Sequence, residues 1–457
     1  MTVLKSDFFW GNSTSSMQTE GAINEGGKGQ SVYDVRPATK NASDWKVAID
    51  EYHRYPEDIS LMKDLGMNFY RFQISWSRVQ PKGEGEFNPE GIKFYHDLID
   101  ELLANNIQPM ICLYHFDMPL YQAQQYNGFI SKKVINHFVT YGKKMIEEFG
   151  NQVKYWITFN EQNLYSTREA FNCSGYLTGE QSVHDLYQIQ HNIVLAHARI
   201  TNYIHQNYPN LLIGGMEAFQ EMYPATSNPQ DVAAVRKCKE FNDYNLLRIF
   251  TEGQYSDEVV AFMKQNYLAD ILQVDELAEI AQTRSDFISF SYYATSCIDS
   301  SKIPVGTIPN DYSYLGQAHN HYLVTNEWNW QIDSQGFYGV LMDLYNRTHL
   351  PIFPIENGIG VRENWDGQHP INDTYRIQYH RHHLQALKNA VADGANVIGY
   401  LGWGLIDIPS SQGNMDKRYG VVYVNRSNHD LKDLKRIPKQ SYYWLQRVIK
   451  SNGESLY

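Results

Sequence analysis

Eight short, mostly apolar runs recur along the chain, each too brief to be read as a helix: Phe8–Asn12, Asn68–Ile74, Pro109–Tyr114, Tyr155–Asn160, Leu212–Met216, Asp286–Ser291, Ile352–Glu356 and Val397–Leu401. Between them apolar residues return every three or four positions, the spacing that gives a helix one face to bury. This spacing predicts helices over Glu57–Asp64, Pro89–Ala104, Lys132–Phe149, Leu186–Gln206, Val232–Phe250, Gly336–Arg347 and Thr374–Asp393. Alternating strand and helix imply a parallel sheet, and eight repeats imply closure into a (β/α)8 TIM barrel, an α/β fold. Successive strand ends fall farther apart than the roughly 30 residues of a minimal βαβ unit. The excess is expected in long loops after the strands, where such barrels build their sites. No Pro/Ser-rich linker or low-complexity tract interrupts the pattern, so residues 1–457 are expected to form a single domain.

Composition narrows the function classes. The chain has 457 residues, 42% hydrophobic and 20% charged, enough for a large core. Its formal net charge is −12 and its basic residues are dispersed, which argues against nucleic acid as a partner. No basic-then-apolar leader and no run of 18 apolar residues is seen, so membrane association is not expected and the cytoplasm is the expected location. Cys112, Cys173, Cys238 and Cys297 are scattered without metal-ligand spacing or disulfide density. His380-Arg-His-His383 lies on a predicted helix with no carboxylate or cysteine at compatible spacing, and reads as helix surface and core. Neither metal nor organic cofactor is expected. The 34 tyrosines and nine tryptophans raise carbohydrate as a ligand class, because sugar rings stack on aromatic faces.

Two carboxylates stand out by position. Glu161 ends the apolar run Tyr155–Asn160, and Glu356 ends Ile352–Ile355 immediately before an Asn-Gly turn. Glycoside hydrolysis needs one protonated carboxyl to release the leaving oxygen and one ionised carboxylate to capture the oxocarbenium-like centre. Glutamates at the ends of strands four and seven of a closed barrel would face each other across roughly 5–5.5 Å, the separation of a retaining enzyme. Arg71, flanked by aromatics within the second strand, and Tyr293, after the sixth, are the groups that would hold one of them ionised.

These residues occur in a longer set of motifs. Gln18 before Glu20-Gly-Ala22, Tyr70–Arg78 (YRFQISWSR), Thr158–Glu161 (TFNE), Ile355–Gly358 (IENG) and Trp403–Asp407 (WGLID) run in the order seen in glycoside hydrolase family 1, which the chain resembles from about Phe8 to Tyr443. The resemblance implies that Glu161 is the acid/base and Glu356 the nucleophile of a two-step retaining mechanism. It also implies that Gln18, His115, Asn160 and Trp403 hold the non-reducing sugar, with Trp330 at the aromatic wall near the entrance.

Departures from that pattern bear on the substrate. Where ordinary β-glucosidases of the family carry a glutamate for O4 and O6, this chain reads Asp407-Ile-Pro-Ser-Ser411, with Ser410 in the glutamate's place. A carboxylate would repel a phosphate on O6, and a hydroxyl would accept it. Ser410, Lys417 and Tyr419 are similar to the phosphate-holding set of 6-phospho-β-glycosidases, and Lys417 supplies the charge for a dianion. The expected partner is therefore a small phosphorylated β-glycoside. The small Ser411, where 6-phospho-β-galactosidases usually carry tryptophan, favours gluco over galacto. The alternatives are a 6-phospho-β-galactosidase or dual-specificity enzyme, and, less favoured, an unphosphorylated β-glucosidase or a non-catalytic sugar-binding barrel. Phe116, Gln162 and Ser291 also depart from the family, and no sugar contact is carried over to Ser291. Self-association as a homo-oligomer is compatible with the sequence but not required by it.

Overall fold

The computed structural model describes residues 3–457. Eight strands form its main sheet: β1 (Phe9–Ser13), β2 (Phe69–Gln73), β3 (Gln108–Tyr114), β4 (Tyr155–Phe159), β5 (Leu212–Ala218), β6 (Phe287–Tyr292), β7 (Ile352–Asn357) and β8 (Gly399–Trp403). They lie in the order β7-β6-β5-β4-β3-β2-β1-β8, parallel throughout. A parallel bridge between Ile352 and Val397 joins the remaining edges, so the sheet closes into the expected (β/α)8 barrel. Both faces of the strands are covered, which explains why they read as continuous apolar runs instead of alternating ones. Phe69, Met110, Cys112, Ile157, Met216, Phe353, Ile355 and Leu401 fill the barrel interior, and the larger apolar layer lies between sheet and helices.

The connecting helices are α1 (Glu51–Leu65), α2 (Pro89–Ala104), α3 (Lys132–Phe149), α4 (Val183–Asn207), α5 (Pro229–Lys239), α6 (Ser334–Thr348), α7 (Thr374–Ala392) and α8 (Gln440–Lys450). The two helices whose predicted limits coincide with the observed ones start at strong caps. Asn88 accepts from the Glu90 amide before Pro89, and Ser131 accepts from the Lys133 amide. Two expectations change. Helix α1 begins six residues earlier than Glu57, carrying Pro56 inside it. The segment predicted as one helix from Val232 to Phe250 runs through a π-helical turn at Glu240–Tyr244 before continuing to Glu252. Helix α8, absent from the predicted set, packs Tyr442, Trp444 and Val448 into the core. Along α7, His380 and His383 are buried and hydrogen-bonded to Tyr400 and to the Tyr379 carbonyl, in keeping with a core role. Among the described residues, no helix is long and apolar enough to cross a membrane.

Candidate active site

A cavity of about 750 Å³ opens at the C-terminal ends of the strands, the end at which barrels of this architecture place their chemistry. Glu161 and Glu356 both line it. Each reaches it through a local departure from regular strand geometry. Phe353 and Ile355 point into the barrel, so strict alternation would send the next side chain outward. The register of β7 against β6 shifts between Pro354 and Glu356, and this irregularity turns Glu356 toward the cleft. Glu161 follows β4 with φ 42°, in the left-handed region, a conformation that costs a non-glycine residue about 1–2 kcal/mol. Its amide donates to the sulfur of Met216 at 2.8 Å, which ties the turn to β5.

The partners of the two carboxyls differ. Glu356 Oε1 accepts from Arg71 Nη1 at 2.8 Å, and Oε2 accepts from the Tyr293 hydroxyl at 2.8 Å. Among the described residues, Glu161 Oε1 accepts only from the Ser291 hydroxyl, at 2.5 Å. Arg71 is fully buried, and its other Nη donates to Asn160 Oδ1 at 2.6 Å. Asn160 Nδ2 in turn lies 3.1 Å from His115 Nε2. Burial raises the Glu356 carboxyl to about 8, against the pull of Arg71, with Glu161 adding to the rise. Burial also raises Glu161, while the Ser291 hydrogen bond and Arg71 oppose it. His115 is driven well below the usual imidazole range by burial and by Arg71, so it is neutral; among the described residues its buried Nδ1 has no hydrogen-bond partner.

Gln18, His115, Asn160, Tyr293, Trp330, Trp403 and Tyr419 line the same cavity as the two glutamates. Gln18 is oriented by its Oε1, which accepts from Ser15, and by its Nε2, which donates to the Pro409 carbonyl at 2.7 Å. The His115 and Trp403 rings lie 5.6 Å apart, and Tyr293 and Trp330 5.7 Å apart. Arg71 sits beneath the carboxylates. Ser410 and Lys417 are not part of the cavity lining, which at this point consists of Ser411 and Gln412. The Ser410 hydroxyl accepts from the Asn414 amide at 3.2 Å. Lys417 is only 7% exposed, and no carboxylate pairs with it among the described residues. Its Nζ lies 3.4 Å from the centroid of the Trp330 ring and 5.5 Å from that of Tyr419, two walls of the cavity. Burial lowers this ammonium to about 8. The family resemblance carries no sugar contact over to Ser291, yet its hydroxyl makes the one side-chain hydrogen bond to the Glu161 carboxyl among the described residues. Its signal was only its place two residues before Tyr293, at the end of β6.

The glycosyl hydrolase family 1 model matches residues 1–454. The aryl-phospho-beta-D-glucosidase BglC of Bacillus subtilis (strain 168) is 36% identical over an alignment of 469 residues that takes in 98% of both chains. BglH of the same organism, also an aryl-phospho-beta-D-glucosidase, is 38% identical over 467 residues, again with 98% of each covered. Among solved structures, a beta-glucosidase from Thermotoga maritima in complex with glucoimidazole matches with a TM-score of 0.87 at 29% identity, covering 99% of this chain and all of that one. The motifs, the closed barrel and the match along nearly the whole length agree: this chain belongs to glycosyl hydrolase family 1.

Proposed function

We propose that the protein hydrolyses 6-phospho-β-D-glucosides with retention of anomeric configuration. Burial raises both carboxyls, and two such groups facing one cleft disfavour ionisation of both at once. Hydrogen bonding decides which of them ionises. Glu356 accepts from a guanidinium and a phenol and keeps the negative charge despite its burial, whereas Glu161, with one serine donor, keeps the proton. Glu161 then protonates the glycosidic oxygen as the bond to the aglycone breaks, and Glu356 attacks the anomeric carbon to give a glycosyl ester. Glu161, now ionised, takes a proton from water as that water attacks the same carbon and releases Glu356. Neutral His115 lines the cleft beside Trp403, which offers an aromatic face to the sugar.

The observation that carries the phosphate specificity is Lys417: an almost buried ammonium with no carboxylate among the described residues to neutralise it, against two walls of the sugar cleft. A buried cation without a protein counter-ion is costly, and a sugar phosphate at the cleft supplies the missing charge. Ser410 stands where a glutamate would repel that phosphate. The names of the relatives, aryl-phospho-beta-D-glucosidases, support the same reading. Ser411 lines the cleft where 6-phospho-β-galactosidases usually carry tryptophan, and this difference favours the gluco epimer. The test is turnover of a chromogenic β-glucoside with and without a 6-phosphate, alongside the phosphorylated galacto epimer. We expect kcat/KM to be higher for the phosphorylated glucoside by about a hundredfold, a difference of about 2.7 kcal/mol. Equal or better turnover of the unphosphorylated sugar would overturn the phosphate claim, and preference for the galacto epimer would overturn the assignment of gluco.

A further inference from the structure

Residues 417–420 carry Lys417 and Tyr419, and the backbone there rests on buried charges that never reach the cleft. Arg376, in the first turn of α7, donates from Nη1 to the Tyr419 and Ile359 carbonyls, both at 2.7 Å, and from Nη2 to the Arg418 carbonyl at 3.3 Å. Lys439 Nζ donates to the Gly420 carbonyl at 2.7 Å. Three successive carbonyls, at 418, 419 and 420, are thus taken by two buried cations. From the opposite side Asp407 accepts the Gly420 amide at 2.9 Å, and the Arg418 amide pairs with the Val361 carbonyl at 3.2 Å.

The cluster is neutral as a whole. Arg376, Arg418 and Lys439 face Glu363, Asp373 and Asp407, through contacts that include Arg376 to Glu363 at 2.9 Å and to Asp373 at 3.0 Å, Lys439 to Asp407 at 2.9 Å, and Arg418 to Asp407 at 3.1 Å. Arg376, Asp373, Asp407 and Lys439 are fully buried, and none of the six lines the cavity. Desolvating six charges adds little to stability over an apolar filling of the same volume. What the charges supply is direction: each guanidinium or ammonium fixes particular carbonyls in place.

We propose that Arg376, Asp407 and Lys439 are positioning residues for sugar-phosphate recognition. They fix the backbone of 418–420, and through it hold the Lys417 ammonium and the Tyr419 ring at the cleft without touching substrate. The inference rests on the phosphate reading given above. A purely structural role, for instance joining the start of α7 to that of α8 through Asp373 and Ser441, would affect all substrates alike.

Two conservative variants test it. Arg376→Lys keeps the charge and loses the fork of carbonyl contacts; Asp407→Asn keeps an acceptor for the Gly420 amide and loses the charge, and stands in if the first variant does not fold. For each, kcat and KM are measured on the phosphorylated and the free chromogenic glucoside, and the rate of Lys417 acylation by an amine reagent is followed by mass spectrometry. We expect kcat/KM on the phosphorylated substrate to fall by about tenfold, through KM, with turnover of the free glucoside changed by less than about twofold, and the Lys417 labelling rate to change. A fall that is equal on the two substrates, or no fall on either, overturns the proposal. If the wild-type enzyme is itself indifferent to the 6-phosphate, the substrate reading fails instead, and an unaltered Lys417 labelling rate then overturns the positioning role independently.

Discussion

Glu356 accepts hydrogen bonds from Arg71 and Tyr293 while Glu161 accepts one from Ser291, so two side chains of the same chemistry are open to separate tests. Glu356→Ala removes the attacking carboxylate, and hydrolysis should fall at least about a thousandfold for good and poor leaving groups alike. Azide, entering the vacated space, should displace an activated aglycone and give a glycosyl azide of inverted configuration; retained hydrolysis would refute the nucleophile role. Ser291→Ala removes a donor that favours the ionised form of Glu161. The Glu161 carboxyl should then hold its proton to higher pH, and the alkaline limb of kcat/KM should move upward; an unmoved limb would show that Glu161 is not the acid. At this scale much was legible in the sequence. Glu161 and Glu356 stood out as carboxylates ending apolar runs, Arg71 as a charge within one and Tyr293 as the residue after one, and the structure brings them together. Ser291 did not stand out, because a serine ending a strand carries no signal until its partner is known. Lys417 was noted as a charge, but that it lies against the Trp330 face without a counter-ion is a three-dimensional fact.

Elements deliver these residues by breaking their own regularity. The register shift in β7 and the left-handed backbone at Glu161 aim the carboxyls, and neither can be read from apolar periodicity, which describes only the regular parts of strands. The same limit applies just after α5, where the π-helical turn at Glu240–Tyr244 places Asp243 inward to accept at 2.9 Å from the Nδ2 of Asn163, two residues beyond Glu161. The limits of α2 and α3 were legible from apolar spacing alone, and the structure adds the capping side chains, Asn88 and Ser131, that fix where they start. Helix α1 starts six residues before the limit that apolar spacing gives, and it carries Pro56 within it. Asn88 does more than cap, since its Nδ2 also donates to the Gly26 and Arg78 carbonyls at 2.7 and 2.8 Å. Asn88→Ala should therefore lower unfolding stability by about 1–3 kcal/mol, with kcat changed little because the residue is remote from the cleft; denaturant unfolding with parallel kinetics checks both parts.

For the molecule as a whole, eight repeats of strand and helix were enough to give the barrel, because the helices cover the outer face of the parallel sheet and closure buries its inner face. The ion cluster beneath 417–420 was not legible, since its members are spread from Glu363 to Lys439 and only closure of the barrel assembles them. Buried ionisable groups also set how stability varies with pH. Burial raises Glu51, Asp117 and Asp243 each to about 7, so from pH 6.5 to 8 the native state binds more protons than the unfolded chain. Stability should decline with rising pH in that window, by at most about 1.4 kcal/mol per pH unit for each group. Below pH 6.5 the buried neutral histidines His197, His380 and His383 act in the opposite sense, because the unfolded chain takes up the protons they refuse. A melting temperature that rises from pH 6.5 to 8 would contradict this. The central claim, that the cleft selects a 6-phosphorylated β-glucoside, is tested most directly by the ratio of kcat/KM for phosphorylated to free chromogenic β-glucoside, measured in the wild type and in Ser410→Glu. The account requires a ratio far above one in the wild type that collapses when the carboxylate is introduced; a ratio of one or less in the wild type, or one that Ser410→Glu leaves unchanged, would contradict it.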